Sequence, residues 1–174
     1  MEVHSQAMSR GFVKEDDQEE IPIVPPRADL PEGVTNYVTR VGMDELLAEK
    51  QMLVNEKNSL KNSNEDEKRI ALNHILAKLQ LLDNRIATAR IVELNEQTTD
   101  EIRFGAVVRL NIEASEKIQT FQIVGVDEAD ISKGKISFTS PLAKALNNKK
   151  VSDKAILKRG QEYLVFEILD ISYS

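Results

Sequence analysis

The sequence predicts an α+β protein in which a helical hairpin precedes a small β-sheet domain. Apolar residues recur at heptad spacing in one long stretch: Leu72, Ile75, Leu79, Leu82, Ile86 and Ala89. A second helical apolar pattern lies before it, across a polar break at residues 61–67. After Glu93 the pattern changes to period-two alternation and β-branched runs. Paired helical seams followed by short alternating strands are typical of the α+β class.

Two helices are predicted to form the hairpin. The first runs from Met43 to about Leu60, because its apolar residues follow helical spacing. The second runs from about Asn64 to Val92, which is roughly 40 Å at the usual rise per residue. Consecutive helices with apolar seams bury them against each other in an antiparallel pair. We therefore expect a coiled-coil arm.

Five short strands are predicted to form a compact antiparallel sheet, since turns separate them. The strands are Phe104–Ile112, Lys117–Gly125, Lys135–Thr139, Lys154–Lys158 and Tyr163–Ile171. Between the third and fourth strands, Ser140 is a good N-cap and Pro141 suits the first position of a helix. One short helix is therefore expected across one face of the sheet.

Three segments follow from these patterns: a tail at 1–36, the arm at 37–93 and the sheet domain at 94–174. The tail contains the acidic run Lys14–Glu20 and four of the five prolines. Such a composition predicts a flexible, solvated segment. Docking of Ile21, Ile23 and Val24 as an extended strand is the alternative, and Met8 is an alternative start.

Composition excludes several classes of function. The formal charge of -6, from 29 acidic and 23 basic residues, argues against electrostatic binding of duplex nucleic acid over a large surface. The absence of cysteine excludes disulfides, thiolate zinc sites and cysteine nucleophiles. No apolar run reaches the length of a membrane span, and no signal-peptide core is present. We expect a cytoplasmic protein without a membrane partner.

The turn of the arm carries three consecutive acids, Glu65, Asp66 and Glu67. Carboxylate oxygens are the ligands that a hard divalent cation prefers, so these side chains could serve a metal site of another molecule. The same acids also suit the start of a helix capped by Ser63 or Asn64. No nucleophile with a partner base and no phosphate-binding loop is visible in the sequence, so no enzyme active site and no tightly bound cofactor is predicted.

Five stretches together resemble the bacterial GreA/GreB family of transcript cleavage factors. They are Tyr37–Arg40, Ala89–Val92, Phe104–Ala106, Ile123–Asp130 and Ser140–Leu146, in the family's order. The likeness covers about residues 37–174. It implies a coiled-coil hairpin and an FKBP-like C-terminal domain that docks on RNA polymerase at its secondary channel. Nucleic acid would then be contacted only indirectly, through the elongation complex.

In that family, acids at the arm tip help to hold catalytic Mg²⁺ so that the polymerase cleaves backtracked RNA. The resemblance therefore implies that Glu65, Asp66 and Glu67 are metal ligands shared with the polymerase, and that the chain is at most a metal-delivering cofactor. The family's tip motif, an Asp three residues before a Glu and then Asn-Ala, is absent here, and the arm is several turns shorter. A channel-occupying regulator without cleavage activity is the alternative.

The resemblance also implies a polymerase-docking surface in the C-terminal domain. Its residues would be Asp127, Glu128, Asp130, Thr139, Ser140 and Pro141. Factors of the GreB type carry an Asp at the position of Thr139, so one charged contact is missing here. Two rival classes stay open at this point. One is a stand-alone prolyl isomerase, for which eight aromatic residues are too few to form an obvious proline-binding pocket. The other is a coiled-coil dimerisation module. A hairpin arm predicts a monomer.

Overall fold

The computed structural model describes residues 22–61, 64–96 and 100–174, and the tail's acidic run and Ile21 lie outside these ranges. The helices are α1 (Arg40–Asn58), α2 (Glu65–Thr88) and α3 (Pro141–Leu146). The strands are β1 (Tyr37–Val38), β2 (Arg90–Ile91), β3 (Val107–Ile112), β4 (Lys117–Val124), β5 (Lys135–Ser137), β6 (Lys154–Arg159) and β7 (Glu162–Ser172). Short 3₁₀ helices occupy Leu94–Glu96 and Ile131–Lys133. The predicted α+β class is confirmed.

The chain divides into two compact units. Among the described residues, the first comprises 22–26 and 49–83, and the second comprises 27–48 and 84–174. Within the described ranges, no helix combines the length and the hydropathy that crossing a bilayer requires.

In the first unit, the predicted heptad seam is the buried face of α2. Ile75, Leu79 and Leu82 are buried, and Leu53 of α1 is 8% exposed. Lys50 Nζ of α1 lies 2.7 Å from Asp83 Oδ1 of α2. Both side chains of this pair are about half exposed, so its energetic contribution is small. The apolar seam is therefore the main stabilising contact between these helices.

The second helix ends earlier than predicted, at Thr88 instead of Val92. Arg90 and Ile91 leave the helix and pair in parallel with Tyr37 and Val38. The N–H groups of Arg90 and Val92 donate to the carbonyls of Asn36 and Val38, both at 2.9 Å. Backbone groups that α2 would have used internally are thus satisfied by a two-residue strand pair.

In the second unit, five strands form one sheet in the order β5-β4-β3-β7-β6. Four of these strands pair antiparallel as predicted, but β5 pairs parallel to β4. The prediction of an all-antiparallel sheet is wrong at this edge. The chain between Val124 and Lys135 turns through the 3₁₀ helix and reaches the sheet edge in the same direction as β4.

One face of this sheet holds the hydrophobic core. Its buried members are Ile102, Ala106, Val108, Leu110, Ile123, Ile136, Ala143, Leu146, Ala155, Phe166, Ile168 and Ile171. Ala143 and Leu146 belong to α3, so the short helix predicted to cross the sheet packs on this face. Its start is also confirmed, because Ser140 Oγ accepts from Ala143 N–H at 3.3 Å and Pro141 occupies the first turn.

The end of the predicted tail, residues 22–36, lies within the described part of the chain. None of residues 22–36 lies in a strand, and Ile23 is 90% exposed. The segment 27–36 nevertheless belongs to the second unit. Arg27 forms an ion pair with Asp127, and Asn36 is 3% exposed. Two polar side chains therefore hold this part of the predicted tail against the second unit, and the flexibility of the tail stays a prediction.

Candidate functional site

The three predicted tip acids lie in the first turn of α2 and are exposed. Asn64 Oδ1 accepts a hydrogen bond from Asp66 N–H at 2.9 Å, which confirms Asn64 as a cap of this helix. The other candidate cap, Ser63, lies outside the described residues. Asp66 also lies 3.7 Å from Arg69 one turn along. The acids are thus placed where the helix dipole favours them.

No cluster of three or more His, Cys, Asp or Glu side chains in the described ranges is arranged to hold a metal ion. The chemistry of the tip is nevertheless that of Mg²⁺ ligands, since its donors are all carboxylate oxygens. A cation bound by Glu65, Asp66 or Glu67 would need further ligands from another molecule. The structure therefore does not test the predicted metal role of these acids.

The loop after β4 approaches β1 very closely. At Gly125, an added Cβ would lie 2.5 Å from the Tyr37 carbonyl oxygen. Only glycine leaves room for this contact. The Val124–Gly125 pair therefore marks the point where the loop and β1 meet, and the loop that follows contains Asp127, Glu128 and Asp130.

Asp127, one of the predicted docking residues, lies between two arginines of its own chain. Arg27 Nε lies 3.0 Å from its Oδ1, and Arg85 Nη1 lies 3.3 Å from its Oδ2. The Asp127 side chain is 7% exposed. Its charge is therefore neutralised inside the domain and is little available to another molecule.

Glu128 is likewise used internally, and its side chain is 3% exposed. Its Oε1 accepts from Thr39 Oγ1 at 2.5 Å, and its Oε2 lies 3.0 Å from Lys135 Nζ. Thr39 Oγ1 in turn accepts from Gly42 N–H at 2.9 Å in the first turn of α1. One buried carboxylate thus connects the start of α1, the loop after β4 and β5.

Asp130 is the N-cap of the 3₁₀ helix at Ile131–Lys133. It accepts from Ser132 N–H at 3.0 Å and from Ser132 Oγ at 2.6 Å. The hydrogen bond from the Ser132 hydroxyl is the largest cause that lowers the pKa of Asp130 below its ordinary value. Ile131, next to it, is 81% exposed. This turn is the accessible part of the loop.

The second predicted docking segment lies at the start of α3. Thr139 N–H donates to Ser137 Oγ at 3.1 Å, and Thr139 Oγ1 lies 2.7 Å from the same oxygen. Pro141 is exposed, whereas Ser140 is half-buried and caps the helix. The Thr139 hydroxyl is therefore held by a neighbouring serine.

An aromatic cluster lies beside this segment and was not predicted. Tyr37 and Phe104 have ring centroids 5.9 Å apart, and Phe138 lies 5.8 Å from Tyr37 and 5.6 Å from Phe104. The rings border a cavity of about 280 Å³ that Arg103 and Lys144 also line. Although aromatic residues are few in the chain, three of them are concentrated at one cavity.

Several residues that shape this site had no role assigned to them from the sequence, although Thr39 lies in the Tyr37–Arg40 stretch. Arg27, Arg85, Thr39 and Lys135 all hold a loop acid, yet each lies outside the loop motif. Lone arginines and a threonine before a helix carry no distinctive pattern. The structure shows that two acids of one loop are buried or nearly buried and therefore require partners, but this burial is not visible in the sequence.

Comparison with known proteins gives a family match in the C-terminal domain. Residues 97–173 match the family described as transcription elongation factor, GreA/GreB, C-term. The sequence is 35% identical over 99 residues to transcription elongation factor GreA of Maricaulis maris, covering 57% of this chain and 63% of the relative. It is 42% identical over 99 residues to GreA of Pelobacter propionicus, with the same 57% and 63% coverage. The aligned part thus spans less than two thirds of these relatives.

Solved structures also resemble the chain at low identity. The GreA factor homolog 1 (Gfh1) protein of Thermus thermophilus is 23% identical with a TM-score of 0.37, covering 79% of this chain and 99% of that one. GreA/GreB from Nitrosomonas europaea is 19% identical with a TM-score of 0.40, covering 86% and 100%. The C-terminal domain of this chain, at residues 97–173, is thus similar to the C-terminal domain of the GreA/GreB transcription elongation factors.

Proposed function

We propose that this chain is a Gre-family elongation factor that binds RNA polymerase at the secondary channel and regulates elongation. The proposal is carried by two features that occur together in one chain. The C-terminal domain matches this family, and the second helix of the helical pair begins with three exposed acids. The chain supplies no active site of its own in this proposal. It acts on a reaction that the polymerase performs.

The docking surface that we propose is the accessible turn at Asp130–Lys133 together with the start of α3. Ile131 is 81% exposed and Pro141 is exposed, so both can contact a partner. Asp127 and Glu128 would support this surface from inside, because their carboxylates are already bound within the domain. The loop would therefore dock through its shape and its exposed apolar residue more than through those two charges.

We further propose that Glu65, Asp66 and Glu67 lend carboxylate oxygens to Mg²⁺ at the polymerase active site. Exposed oxygen ligands at the start of a helix suit a hard cation that keeps part of its coordination shell from other molecules. The relatives carry the name transcription elongation factor GreA, which supports a role in elongation. The helix-cap contacts of Asn64 and Asp66 explain the acids equally well without a metal.

The test uses artificially backtracked elongation complexes of the cognate polymerase with Mg²⁺ and follows release of 3′ RNA fragments. The tip variant changes Glu65→Gln, Asp66→Asn and Glu67→Gln together. The matched control removes three charges from exposed positions of α1, by Asp44→Asn, Glu45→Gln and Glu56→Gln. Both variants change the net charge equally, so general electrostatics cannot explain a difference between them.

We expect the wild type and the control to stimulate cleavage and the tip variant to lose at least about tenfold in rate. Polymerase binding without cleavage by the wild type would instead identify a channel-occupying regulator. Equal cleavage by all three proteins would show that the acids only begin a helix. Absence of binding to the polymerase would overturn the proposed function altogether.

A further inference from the structure

We propose that residues 27–36 form a strap that holds the C-terminal turn of α2 and the loop after β4 in one arrangement, and that Arg27 is its positioning residue. The strap precedes β1 and contains no helix or strand. All of the contacts below lie within the second compact unit. The effect on docking rests on the proposed function, whereas the strap itself is a property of the isolated chain.

The first anchor of the strap is Arg27. Its Nε donates to Asp127 Oδ1 at 3.0 Å, across 100 positions of sequence. Arg85 of α2 binds the other oxygen of the same carboxylate, Oδ2, at 3.3 Å. The arginine side chains are 19% and 15% exposed and Asp127 is 7% exposed. This charge network is therefore shielded from water, unlike an ordinary surface ion pair.

Arg85 also binds the strap directly. Its Nη2 donates to the carbonyl oxygen of Ala28, the residue after Arg27. The guanidinium of Arg85 therefore contacts both the loop acid and the strap backbone. A planar group with several donors in fixed directions is suited to join two such acceptors. The strap thus contacts α2 through the Ala28 carbonyl, next to the residue that binds Asp127.

The second anchor is Asn36 at the other end of the strap. Its Nδ2 donates to the Arg85 carbonyl at 3.0 Å and to Thr88 Oγ1 at 3.3 Å. Its backbone carbonyl oxygen accepts from Arg90 N–H at 2.9 Å. Asn36 is 3% exposed. The last turn of α2 is therefore bound from both ends of a segment ten residues long, by side chains and backbone together.

An irregular segment is ordered only where its contacts exceed the conformational entropy that ordering removes. Strap residues 29–33 are exposed or half-exposed, so the two anchors carry most of that stabilisation. Loss of the Arg27 side chain would leave Asp127 with Arg85 alone and remove the cross-link from the strap to the loop. Both the loop and the last turn of α2 should then open more often.

The functional consequence follows from preorganisation. A loop held in its binding arrangement before contact loses less entropy on binding, which raises affinity. Asp127 lies three residues before Asp130, the cap of the accessible turn. Arg27 would therefore raise the affinity for the polymerase without touching it.

The first experiment measures amide hydrogen exchange of the full chain in residues 84–88 and 125–133. We expect Arg27→Gln to raise local exchange rates about tenfold in both segments. The matched control is Arg40→Gln, which removes an exposed arginine from its ion pair with Glu93. The control should change these rates less than about twofold. Equal rates in Arg27→Gln and the wild type would overturn the strap.

A second variant keeps the test decisive if Arg27→Gln does not fold. Arg27→Lys keeps the charge but loses the fixed donor geometry, so an intermediate increase in exchange is expected.

A double variant tests the contact between Arg27 and Asp127 directly. Introducing Arg27→Gln into the Asp127→Asn protein should raise the exchange rates by a smaller factor than introducing it into the wild type, because the contact is already lost. Fully additive increases would contradict a direct role of the Arg27–Asp127 contact.

The second experiment measures affinity for the polymerase. We expect Arg27→Gln to weaken binding about fivefold and to leave the response at saturating factor unchanged. Faster exchange with unchanged polymerase affinity would overturn the positioning role. A wild type that does not bind the polymerase would overturn the proposed function, and the exchange data would still decide the strap independently.

Discussion

Glu128 accepts a hydrogen bond at 2.5 Å from Thr39, a residue 89 positions earlier in the chain. Thr39 is 2% exposed, and its hydroxyl oxygen also accepts the N–H of Gly42 in the first turn of α1. A single hydroxyl therefore both caps a helix and satisfies a buried carboxylate. The start of α1 and the loop that the resemblance assigns to polymerase docking are fixed by the same side chain.

Thr39→Val should destabilise the C-terminal domain strongly. Valine is nearly isosteric but supplies neither the cap nor the donor, so Glu128 would lose one partner while still buried. We expect a loss of about 2 kcal/mol in the free energy of unfolding, measured by urea titration. Thr120→Val on the exposed side of β4 is the control and should stay within about 0.5 kcal/mol. Similar losses in the free energy of unfolding for both variants would contradict a stabilising role of the Thr39 hydroxyl.

Gly42→Ala should destabilise the chain although alanine is the better helix former by about 1 kcal/mol. An added Cβ would lie 2.7 Å from Glu128 Oε1. That oxygen cannot simply move, because Thr39 and Lys135 hold the carboxylate. We expect a net loss of about 1–2 kcal/mol in urea unfolding.

The control for this substitution is the same change in a Glu128→Ala background. With the carboxylate removed, the added methyl meets no obstacle and the helical preference of alanine should dominate. Gly42→Ala should then stabilise the Glu128→Ala protein. A loss of the same size in both backgrounds would mean that the contact with Glu128 is not the cause.

Features specified by neighbouring residues were predictable from the sequence. The helix at 141–146 follows from Ser140 and Pro141, and the buried face of α2 follows from its heptad spacing. The contacts that shape the candidate site were not predictable in this way. Arg27 and Asp127 are 100 positions apart, and neither carries a local signal of the other.

The parallel pairing of β5 and the two-residue strands β1 and β2 were missed for a related reason. The direction of β5 depends on how the loop after Val124 folds, and Glu128 of that loop contacts the distant Thr39 as well as Lys135 of β5. A strand of two residues is too short to show alternation. The local sequence pattern therefore carries no signal for either feature.

Asn64→Ala should weaken the start of α2. The side chain of Asn64 accepts from Asp66 N–H, and alanine cannot replace that acceptor. We expect about 1 kcal/mol less local stability, seen as faster hydrogen exchange in residues 65–70. Asn64→Asp keeps an acceptor and should restore protection. Unchanged exchange in the alanine variant would show that the cap does not stabilise this helix start, which would strengthen the case for metal delivery by the acids.

Asp130 should make the domain sensitive to acid. Its pKa lies below the ordinary value of 3.8, chiefly because the Ser132 hydroxyl donates to the carboxylate. A group with a lowered pKa stabilises the fold when ionised, so its contribution is present above about pH 4 and is lost as the pH falls through the folded pKa.

An NMR titration of the Asp130 carboxyl should therefore give a midpoint below 3.8. Ser132→Ala should move that midpoint upward, and the difference in urea stability between the two proteins should shrink as the pH falls. A midpoint at or above the ordinary value in the wild type would contradict the cap at the accessible turn.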